Sequence, residues 1–299
     1  MMPKPPLHPP FPKAKRLPVR KRMTIAIGIL STDGIVIAAD TEETGYFKRH
    51  QPKILPVNIE IPDGPAMAIT GAGDAGYLDS ISEELNDCFG QHWREGYKAI
   101  EDSIGEQLYT FYRKHVIPFA GFPEGDRPSM SLIIGIQKGG ESQLFITDKS
   151  TIRPVRAYDA VGCGGELAKT LLQRLYPKFP TMDIVEALAT YVAFQVKELI
   201  PGCGKSTTIL RIENNHADYG NIERTMAMED IFRAYLQVER SGLGYIFGAP
   251  SDDFIKYIDK SYMTMQKELA SLFKKFPNRK IDTVLRTRRL VPRKSKDQQ

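Results

Sequence analysis

Thr24, Asp40 and Lys53 are the residues of this chain whose types and spacing could do chemistry. Thr24 follows Met23 directly, so removal of the preceding residues would leave a threonine with a free α-amine. A hydroxyl is a weak nucleophile at neutral pH and needs a base within hydrogen-bond reach. The α-amine has an unperturbed pKa close to neutral, so it can accept the hydroxyl proton directly or through one water. Such a threonine would be nucleophile and general base in one residue.

Two predicted strands position these residues. The apolar run Thr24–Leu30, the turn Ser31–Gly34 and the β-branched run Gly34–Ala39 are together typical of a β-hairpin. Asp40 ends the second strand, and Lys53 precedes a short apolar segment. Taken singly, a threonine at a strand start and an aspartate after a strand are ordinary structural residues. Their combination in this order makes them a candidate site.

Further strands and helices follow along the chain. Apolar periodicity predicts strands at Ala66–Thr70, Ser131–Ile136, Gln143–Thr147, Ala157–Val161 and Thr207–Ile212, and helices after Ala75, from about Tyr97 to Val116, after Gly165 and over Met182–Leu199. Two long helices between blocks of strands suit one helical layer of a sandwich.

The chain resembles a known family in residues that follow one another in the same order along the sequence: Thr24, Gly28, the run from Asp33 to Asp40 (DGIVIAAD) and Lys53-Ile54. They are similar to the N-terminal-nucleophile (Ntn) hydrolases, specifically the β-type catalytic subunits of proteasomes and their bacterial relatives. The resemblance implies an α+β fold, a four-layer αββα sandwich. It also implies that Thr24 is the nucleophile, that Lys53 lowers the pKa of the threonine hydroxyl and amine, and that Asp40 holds Lys53 in place.

The resemblance assigns an oxyanion hole to the segment after the strand Ala66–Thr70. In the family a backbone N–H at this point stabilises the negative charge on the substrate oxygen, and a glycine lets the substrate carbonyl approach closely. We assign this role to Gly71. Because the segment is one residue out of step with the family pattern, Thr70 and Ala72 stay open as alternatives.

Two further segments depart from the family pattern. Cys163 stands where the family has a serine near the nucleophile, and a thiol is a weaker hydrogen-bond partner than a hydroxyl. Cys203 stands in the place of a second serine, and Ile200 in the place of an aspartate, with Glu198 as the nearest acid. If both alignments hold, the two cysteines approach each other beside Thr24; otherwise they are small core residues.

The chain ends differ in composition from its middle. Residues 1–23 are rich in proline, hold seven Lys/Arg and no acid, and lack the apolar core of a secretory signal. They are either a propeptide, or an extension preceding a true start at Met23, which we favour, or a retained segment that leaves Thr24 acylated and inert. The basic ends are expected to be solvated, with neither a specific nucleic-acid partner nor a membrane partner.

The remaining organisation follows from these features. We expect residues 24–222 to form the Ntn-hydrolase domain, 223–276 a helical appendage interrupted at Gly242–Gly244 and Gly248–Pro250, and 277–299 a basic tail. The three cysteines are too few and scattered for a disulfide framework or a metal site, which indicates a reducing cytoplasm. No transmembrane-length apolar run is present in the sequence.

The function expected from the resemblance is a threonine-type endopeptidase that acts through an acyl-enzyme on peptides or unfolded proteins. It needs no metal or organic cofactor. The family's subunits assemble into rings that enclose the active sites, so a homo-oligomeric ring is implied, with an ATPase as a candidate partner. Two alternatives stay open: a small-amide hydrolase with the same nucleophile, and a non-catalytic structural subunit of a proteasome-like ring.

Overall fold

The computed structural model describes residues 24–276, except for 45–47, 51–52, 60, 62–63, 123–126 and 248–251. The extension 1–23, the tail 277–299 and the helix break expected at Gly248–Pro250 lie outside the described residues.

The described residues form twelve strands and six α-helices. The strands are β1 (Ile25–Leu30), β2 (Gly34–Asp40), β3 (Glu42–Thr44), β4 (Lys48–His50), β5 (Ile54–Asn58), β6 (Ala66–Gly73), β7 (Met130–Lys138), β8 (Glu141–Asp148), β9 (Thr151–Val155), β10 (Tyr158–Gly162), β11 (Thr207–Glu213) and β12 (His216–Tyr219). The helices are α1 (Ala75–His92), α2 (Tyr97–His115), α3 (Gly165–Leu175), α4 (Met182–Leu199), α5 (Ile222–Phe247) and α6 (Asp252–Lys275).

Ten of these strands form two five-stranded antiparallel sheets. The first sheet has the order β10-β1-β2-β11-β12, and the second has the order β5-β6-β7-β8-β9. Strands β3 and β4 pair only with each other among the described residues. The hairpin β1–β2 is the one that the sequence predicts, and the strands predicted at Ser131–Ile136 and Gln143–Thr147 form a second hairpin, β7–β8.

Strands β1 and β2 are buried on both faces because they lie between a helical layer and the other sheet. Successive side chains of a strand point to opposite faces. Accordingly, Ile27 and Ile29 pack with the apolar faces of α3 and α4, whereas Ala26 and Ile37 pack against Ile133 and other residues of the second sheet. Each fully buried isoleucine stabilises this arrangement by roughly 1.5–3 kcal/mol.

The second sheet is covered on its outer face by α1 and α2. Ile81 and Leu85 of α1 and Ile104 of α2 pack on Ile134 and Ile136 of β7. Three apolar cores therefore separate four layers, in the order helix, sheet, sheet, helix. The prediction of a four-layer αββα sandwich is confirmed.

The helices α5 and α6 extend the chain beyond the sandwich. Phe232 of α5 packs on Tyr191 and Phe194 of α4, with ring centroids 5.1 and 6.2 Å apart, and α6 packs along α5. The expected interruption at Gly242–Gly244 is wrong, because α5 runs unbroken to Phe247. Packing of one helix on another here overrides the low helix propensity of glycine.

No described helix is both long enough and apolar enough to cross a membrane.

Candidate active site

The candidate residues lie together at one end of the strands of the first sheet. Because β1 and β2 are antiparallel, with Ala26 opposite Ala39, the start of β1 lies beside the end of β2. The end of β10 and the start of β11 lie at this same end of the sheet, since Gly162 is opposite Ile25 and Thr207 is opposite Asp40. The loops that follow β10 and precede β11 therefore flank Thr24.

Thr24 is held through its hydroxyl by two charged groups. The residue is 6% exposed, and its Oγ donates a hydrogen bond to Asp40 Oδ1 at 2.6 Å. The same oxygen accepts a hydrogen bond from Lys53 Nζ at 2.5 Å. Both contacts lie within the range over which protons are shared or transferred between side chains. The hydroxyl is thus oriented, with an ammonium group at the oxygen that would become an alkoxide.

Asp40 is fully buried and its carboxylate is well hydrogen-bonded. Besides the Thr24 hydroxyl, Oδ1 accepts hydrogen bonds from Lys53 Nζ at 2.7 Å and from the Ile25 N–H at 3.1 Å. Oδ2 accepts a hydrogen bond from the Gly204 N–H at 3.1 Å. Burying a carboxylate is costly unless it is paired and hydrogen-bonded, and these donors meet that condition.

Lys53 reaches the site from the second sheet. Its Nζ has three protons and finds three acceptors: the Thr24 hydroxyl, the Asp40 carboxylate and the carbonyl of Glu42 at 2.6 Å. The Thr70 hydroxyl in turn donates to the Lys53 carbonyl at 2.8 Å, which anchors the lysine backbone to β6. The ammonium group therefore has a fixed position between the two sheets.

Sequence reasoning missed the Glu42 carbonyl and the Thr70 hydroxyl. A backbone carbonyl carries no sequence signature, so nothing in the sequence pointed to the first. The second was considered only as an alternative oxyanion residue, whereas its hydroxyl supports Lys53. Its role depends on the pairing of Ile54 with Thr70, which places the residue before β5 beside β6 and has no signature in the sequence.

The other side of Thr24 is formed by two thiols. Cys163, in the turn between β10 and α3, donates a hydrogen bond through Sγ to the Thr24 carbonyl at 3.4 Å. Its Sγ lies 3.2 Å from the Sγ of Cys203, in the loop between α4 and β11. The approach of the two cysteines, conditional in the sequence, is thus present in the structure. Gly162 has a φ of +101°, and a Cβ there would lie 2.1 Å from the Thr24 carbonyl oxygen.

The two thiols differ in exposure and in acidity. Cys163 is exposed, whereas Cys203 is 5% exposed. A hydrogen bond from the Cys203 thiol lowers the pKa of Cys163 to about 7, although partial burial acts in the opposite direction. The same hydrogen bond, together with burial, raises the pKa of Cys203 above its ordinary value. Cys163 is therefore the thiol that ionises first.

The residues that the family pattern puts beside the amine are not acidic here. Ile200 ends α4 and packs against the core between the first sheet and its helices, and Glu198 is exposed on the last turn of that helix. In the full chain, moreover, the nitrogen of Thr24 is part of the peptide bond to Met23. In the full chain the hydroxyl proton is donated to Asp40, and the amine that the sequence predicts as the base would exist only after removal of Met23.

The sequence predicts Gly71 just after a strand, but the structure places it inside β6. The strand was expected to end at Thr70, but β6 continues to Gly73, and Gly71 is paired with Leu132 of β7. A Cβ on Gly71 would lie 2.6 Å from the Ser131 carbonyl oxygen and 2.9 Å from a methyl of Leu78 on α1. The packing of α1 and β7 on β6 thus requires a glycine at this position irrespective of any substrate.

The neighbours of Gly71 nevertheless border the site. Thr70 bonds to the Lys53 carbonyl, and the Cβ of Ala72 lies 3.1 Å from where a Gly162 Cβ would stand. Residues 70–72 therefore lie beside Lys53 and Gly162, the two residues that border Thr24 from different sides.

Comparison with known proteins bears on the fold. No family model and no curated protein matches this chain. Among solved structures it is similar to an Anbu complex from Pseudomonas aeruginosa, described as a helical assembly, at 15% identity and a TM-score of 0.62 over 77% of this chain and 99% of that one. It is similar to Anbu, the ancestral beta-subunit, from Yersinia bercovieri at 15% identity and a TM-score of 0.57 over 76% and 98% of the two chains. An Anbu Gly-1 mutant from Hyphomicrobium sp. strain MC1 gives 15% identity and a TM-score of 0.59 over 75% and 99%.

These likenesses correct one expectation and support another. The identification of the chain as a proteasome β-type subunit is wrong: the structures that it resembles are Anbu proteins, which are proteasome-like but form a distinct family, and no sequence family supports the assignment. At this level of identity the likeness shows the fold alone. The Ntn-hydrolase type of sandwich is confirmed, and the activity is a separate question.

Proposed function

We propose that this chain is a threonine-type hydrolase that cleaves peptide bonds through Thr24, once the residues before Thr24 have been removed. The observation that carries the proposal is the position of the Thr24 hydroxyl, 2.5 Å from the Lys53 ammonium and 2.6 Å from the Asp40 carboxylate in a buried site. A threonine serving only as a strand residue has no need of a partly buried lysine that donates to its hydroxyl.

The first step under this proposal is attack on a peptide carbonyl. The freed α-amine of Thr24 takes the proton of Oγ, directly or through a water, and Oγ forms a bond to the carbonyl carbon. The Lys53 ammonium stabilises the negative charge that develops on Oγ. When the carbon–nitrogen bond breaks, the protonated amine gives its proton to the leaving amine, and an ester links Thr24 to the acyl half of the substrate.

The second step is hydrolysis of that ester. The α-amine removes a proton from water, the hydroxide adds to the ester carbonyl, and Oγ leaves and regains its proton. The N–H of Gly71 is our candidate for the donor to the carbonyl oxygen in both steps, because Thr70 and Ala72 on either side of it lie beside Lys53 and Gly162, which border Thr24. Cys163 contacts the Thr24 carbonyl and helps to fix its backbone.

The setting of this activity is part of the proposal. We expect peptides or unfolded proteins as substrates and a homo-oligomer as the working form, since an open peptidase would endanger other proteins. A reducing cytoplasm suits three free cysteines. Sedimentation of the purified full chain tests the oligomer.

A second function is favoured by the thiol side of the site. Ile200 and Cys203 replace the acid and the serine of the family pattern with less polar side chains, and Thr24 is acylated by Met23 in the full chain. A non-catalytic subunit that keeps the fold for assembly would tolerate both features.

The deciding experiment determines which residue is N-terminal in the purified protein and whether Thr24 acts as the nucleophile. Full-length protein and a version whose translation starts at Met23 are purified, and intact mass and N-terminal sequencing show whether either begins at Thr24. Each is then treated with a threonine-directed covalent inhibitor and assayed on fluorogenic peptides and on small acyl-amides. Thr24→Ala is the test variant, and Thr32→Ala, on an exposed threonine in the β1–β2 turn, is the matched control.

Hydrolysis of peptides that needs a free Thr24, survives Thr32→Ala and is lost in Thr24→Ala supports the peptidase. Turnover of acyl-amides alone would favour the small-amide hydrolase. A chain beginning at Thr24 that neither binds the inhibitor nor cleaves any substrate overturns catalysis and favours the non-catalytic subunit.

A further inference from the structure

Cys163 and Cys203 bring two thiols into contact at the edge of the site. The residues are far apart in the chain, on loops that follow different secondary-structure elements, yet their sulfur atoms are 3.2 Å apart. Each loop also contacts the proposed catalytic centre: Cys163 donates to the Thr24 carbonyl, and the Gly204 N–H, next to Cys203, donates to Asp40.

The two thiols are unequal in a way that matters for oxidation. Thiol oxidation needs one accessible thiolate and, for a disulfide, a second cysteine close by to resolve the first product. Cys163 is exposed, and Cys203 is buried directly behind it. The pKa of Cys163, lowered to about 7 by the hydrogen bond from Cys203, makes a large thiolate fraction available at neutral pH. Cys88, by contrast, has a pKa raised above the ordinary value by burial and by Glu95.

From this geometry we infer that Cys163 and Cys203 form an oxidation site, in which a hydroperoxide converts the pair to an intramolecular disulfide that switches off the Thr24 centre. The thiolate of Cys163 attacks the terminal oxygen of the hydroperoxide, a sulfur–oxygen bond forms, the oxygen–oxygen bond breaks, and an alcohol (water, for hydrogen peroxide) leaves. The sulfur of Cys203 then attacks the Cys163 sulfur, the sulfur–oxygen bond breaks, and water leaves. The pair loses two hydrogen atoms in all, and the hydroperoxide is reduced.

Disulfide formation would alter the site through both loops. A sulfur–sulfur bond is about 2.05 Å long, so the loops must close by about 1 Å from the present contact. The turn that carries Cys163 then shifts against the Thr24 carbonyl, and the loop that carries Gly204 is drawn away from its present position at Asp40. Displacements of about 1 Å in a catalytic centre are sufficient to slow reactions about 100-fold, so we expect at least about a 10-fold loss of hydrolysis. This consequence rests on the proposed function; the disulfide itself does not.

Tryptic peptides of the full chain report on the disulfide directly. Cleavage after Arg156, Lys169, Lys197 and Lys205 places Cys163 in peptide 157–169 and Cys203 in peptide 198–205, whereas Cys88 falls in peptide 54–94. Reduced protein is exposed to hydrogen peroxide, remaining thiols are blocked with iodoacetamide, and the digest is analysed without reductant. We expect a linked 157–169/198–205 pair, alkylated Cys88, and a fall in hydrolysis that dithiothreitol reverses.

Three single variants sharpen the test. Cys163→Ser and Cys203→Ser should each abolish the linked peptide, whereas Cys88→Ser is the control and should keep both the link and the loss of activity. The inference is overturned if the wild-type peptides are separately alkylated, if Cys163 goes to sulfinic acid, or if the cysteines link two chains. A linked pair with undiminished hydrolysis would overturn the switch.

The two proposals fail separately in this experiment. If reduced protein that begins at Thr24 hydrolyses nothing, the proposed function is wrong, while the linked peptide still decides whether the oxidation site exists. If hydrolysis depends on Thr24 but no link forms, only the oxidation site is wrong.

Discussion

The two sides of Thr24 are built from different chemistry. On one side, Asp40 and Lys53 hold the hydroxyl with short, charge-assisted hydrogen bonds, and each charged group is saturated with partners. On the other side, the Cys163 sulfur lies 3.4 Å from the Thr24 carbonyl oxygen and 3.2 Å from the Cys203 sulfur. The charged side fixes the reacting oxygen, whereas the thiol side contacts only the backbone and can change its chemical state. We expect substitutions on the charged side to cost more, which the following predictions test.

The largest effect is expected from Lys53→Met. The Asp40 carboxylate is fully buried, so removal of its ammonium partner leaves an uncompensated charge and should lower the free energy of unfolding by about 3–5 kcal/mol. Urea unfolding followed by circular dichroism at neutral pH measures the change. Lys169→Met is the matched control, because Lys169 is 40% exposed in its pairs with Glu166 and Asp159 and should cost at most about 1 kcal/mol. Equal costs for the two variants would show that the charged side does not depend on its ion pair.

The second largest effect is expected from a substitution in the backbone of the thiol side. Gly162→Ala forces a side chain into positive φ and places its Cβ 2.1 Å from the Thr24 carbonyl oxygen, so we expect a loss of about 3 kcal/mol in stability. Gly139→Ala separates the two causes, because Gly139 also has positive φ, at +60°, but has open space around its Cβ position. It should cost about 1–2 kcal/mol. A Gly162→Ala variant no less stable than Gly139→Ala would mean that the turn moves freely away from Thr24.

More of the charged side than of the thiol side could be predicted from the sequence. The run that ends at Asp40 alternates between two buried faces, and its β-branched residues give the strand correctly. That Lys53 reaches Asp40 was implied by the resemblance alone, because it depends on how the two sheets stack and on the register of Ile54 with Thr70. The contact of Cys163 with Cys203 depends in the same way on tertiary structure.

The errors arose where tertiary pairing overrides local sequence. The run Gly71-Ala-Gly73 is typical of a turn, but pairing with Met130–Leu132 keeps it in the strand. Strand β9 was missed because its short sequence, Thr-Ile-Arg-Pro-Val, contains an arginine and a proline. Sheets tolerate proline at an edge strand, and β9 is an edge strand. In both cases a neighbouring strand, distant in sequence, supplies the information.

A third prediction concerns the acidity of the thiol side. The thiolate is the form that reacts with iodoacetamide, so the alkylation rate of Cys163 should fall as pH drops through its pKa of about 7 and level off above it. Cys88, whose pKa is raised, should still be gaining reactivity above pH 9. Rates measured by mass spectrometry on peptides 157–169 and 54–94 separate the two residues. If the alkylation rates of Cys163 and Cys88 depended on pH in the same way, Cys163 would be no more acidic than an ordinary thiol.

The smallest effect is expected from Cys203→Ala, and it tests whether the thiol side is a coupled pair or two separate residues. Loss of one buried sulfur should cost only about 1 kcal/mol in stability, well below the cost of Lys53→Met. The acidity of Cys163 should change more clearly. Because the Cys203 thiol donates to the Cys163 thiolate, its removal withdraws the main stabilisation of the charged form, and the pKa of Cys163 should rise towards the ordinary thiol value of 9.0. At neutral pH the alkylation of Cys163 should therefore slow, and its midpoint should move upward. A midpoint that stays near 7 would place the cause of the acidity in the backbone around Thr24, and the two thiols would then be neighbours without being partners.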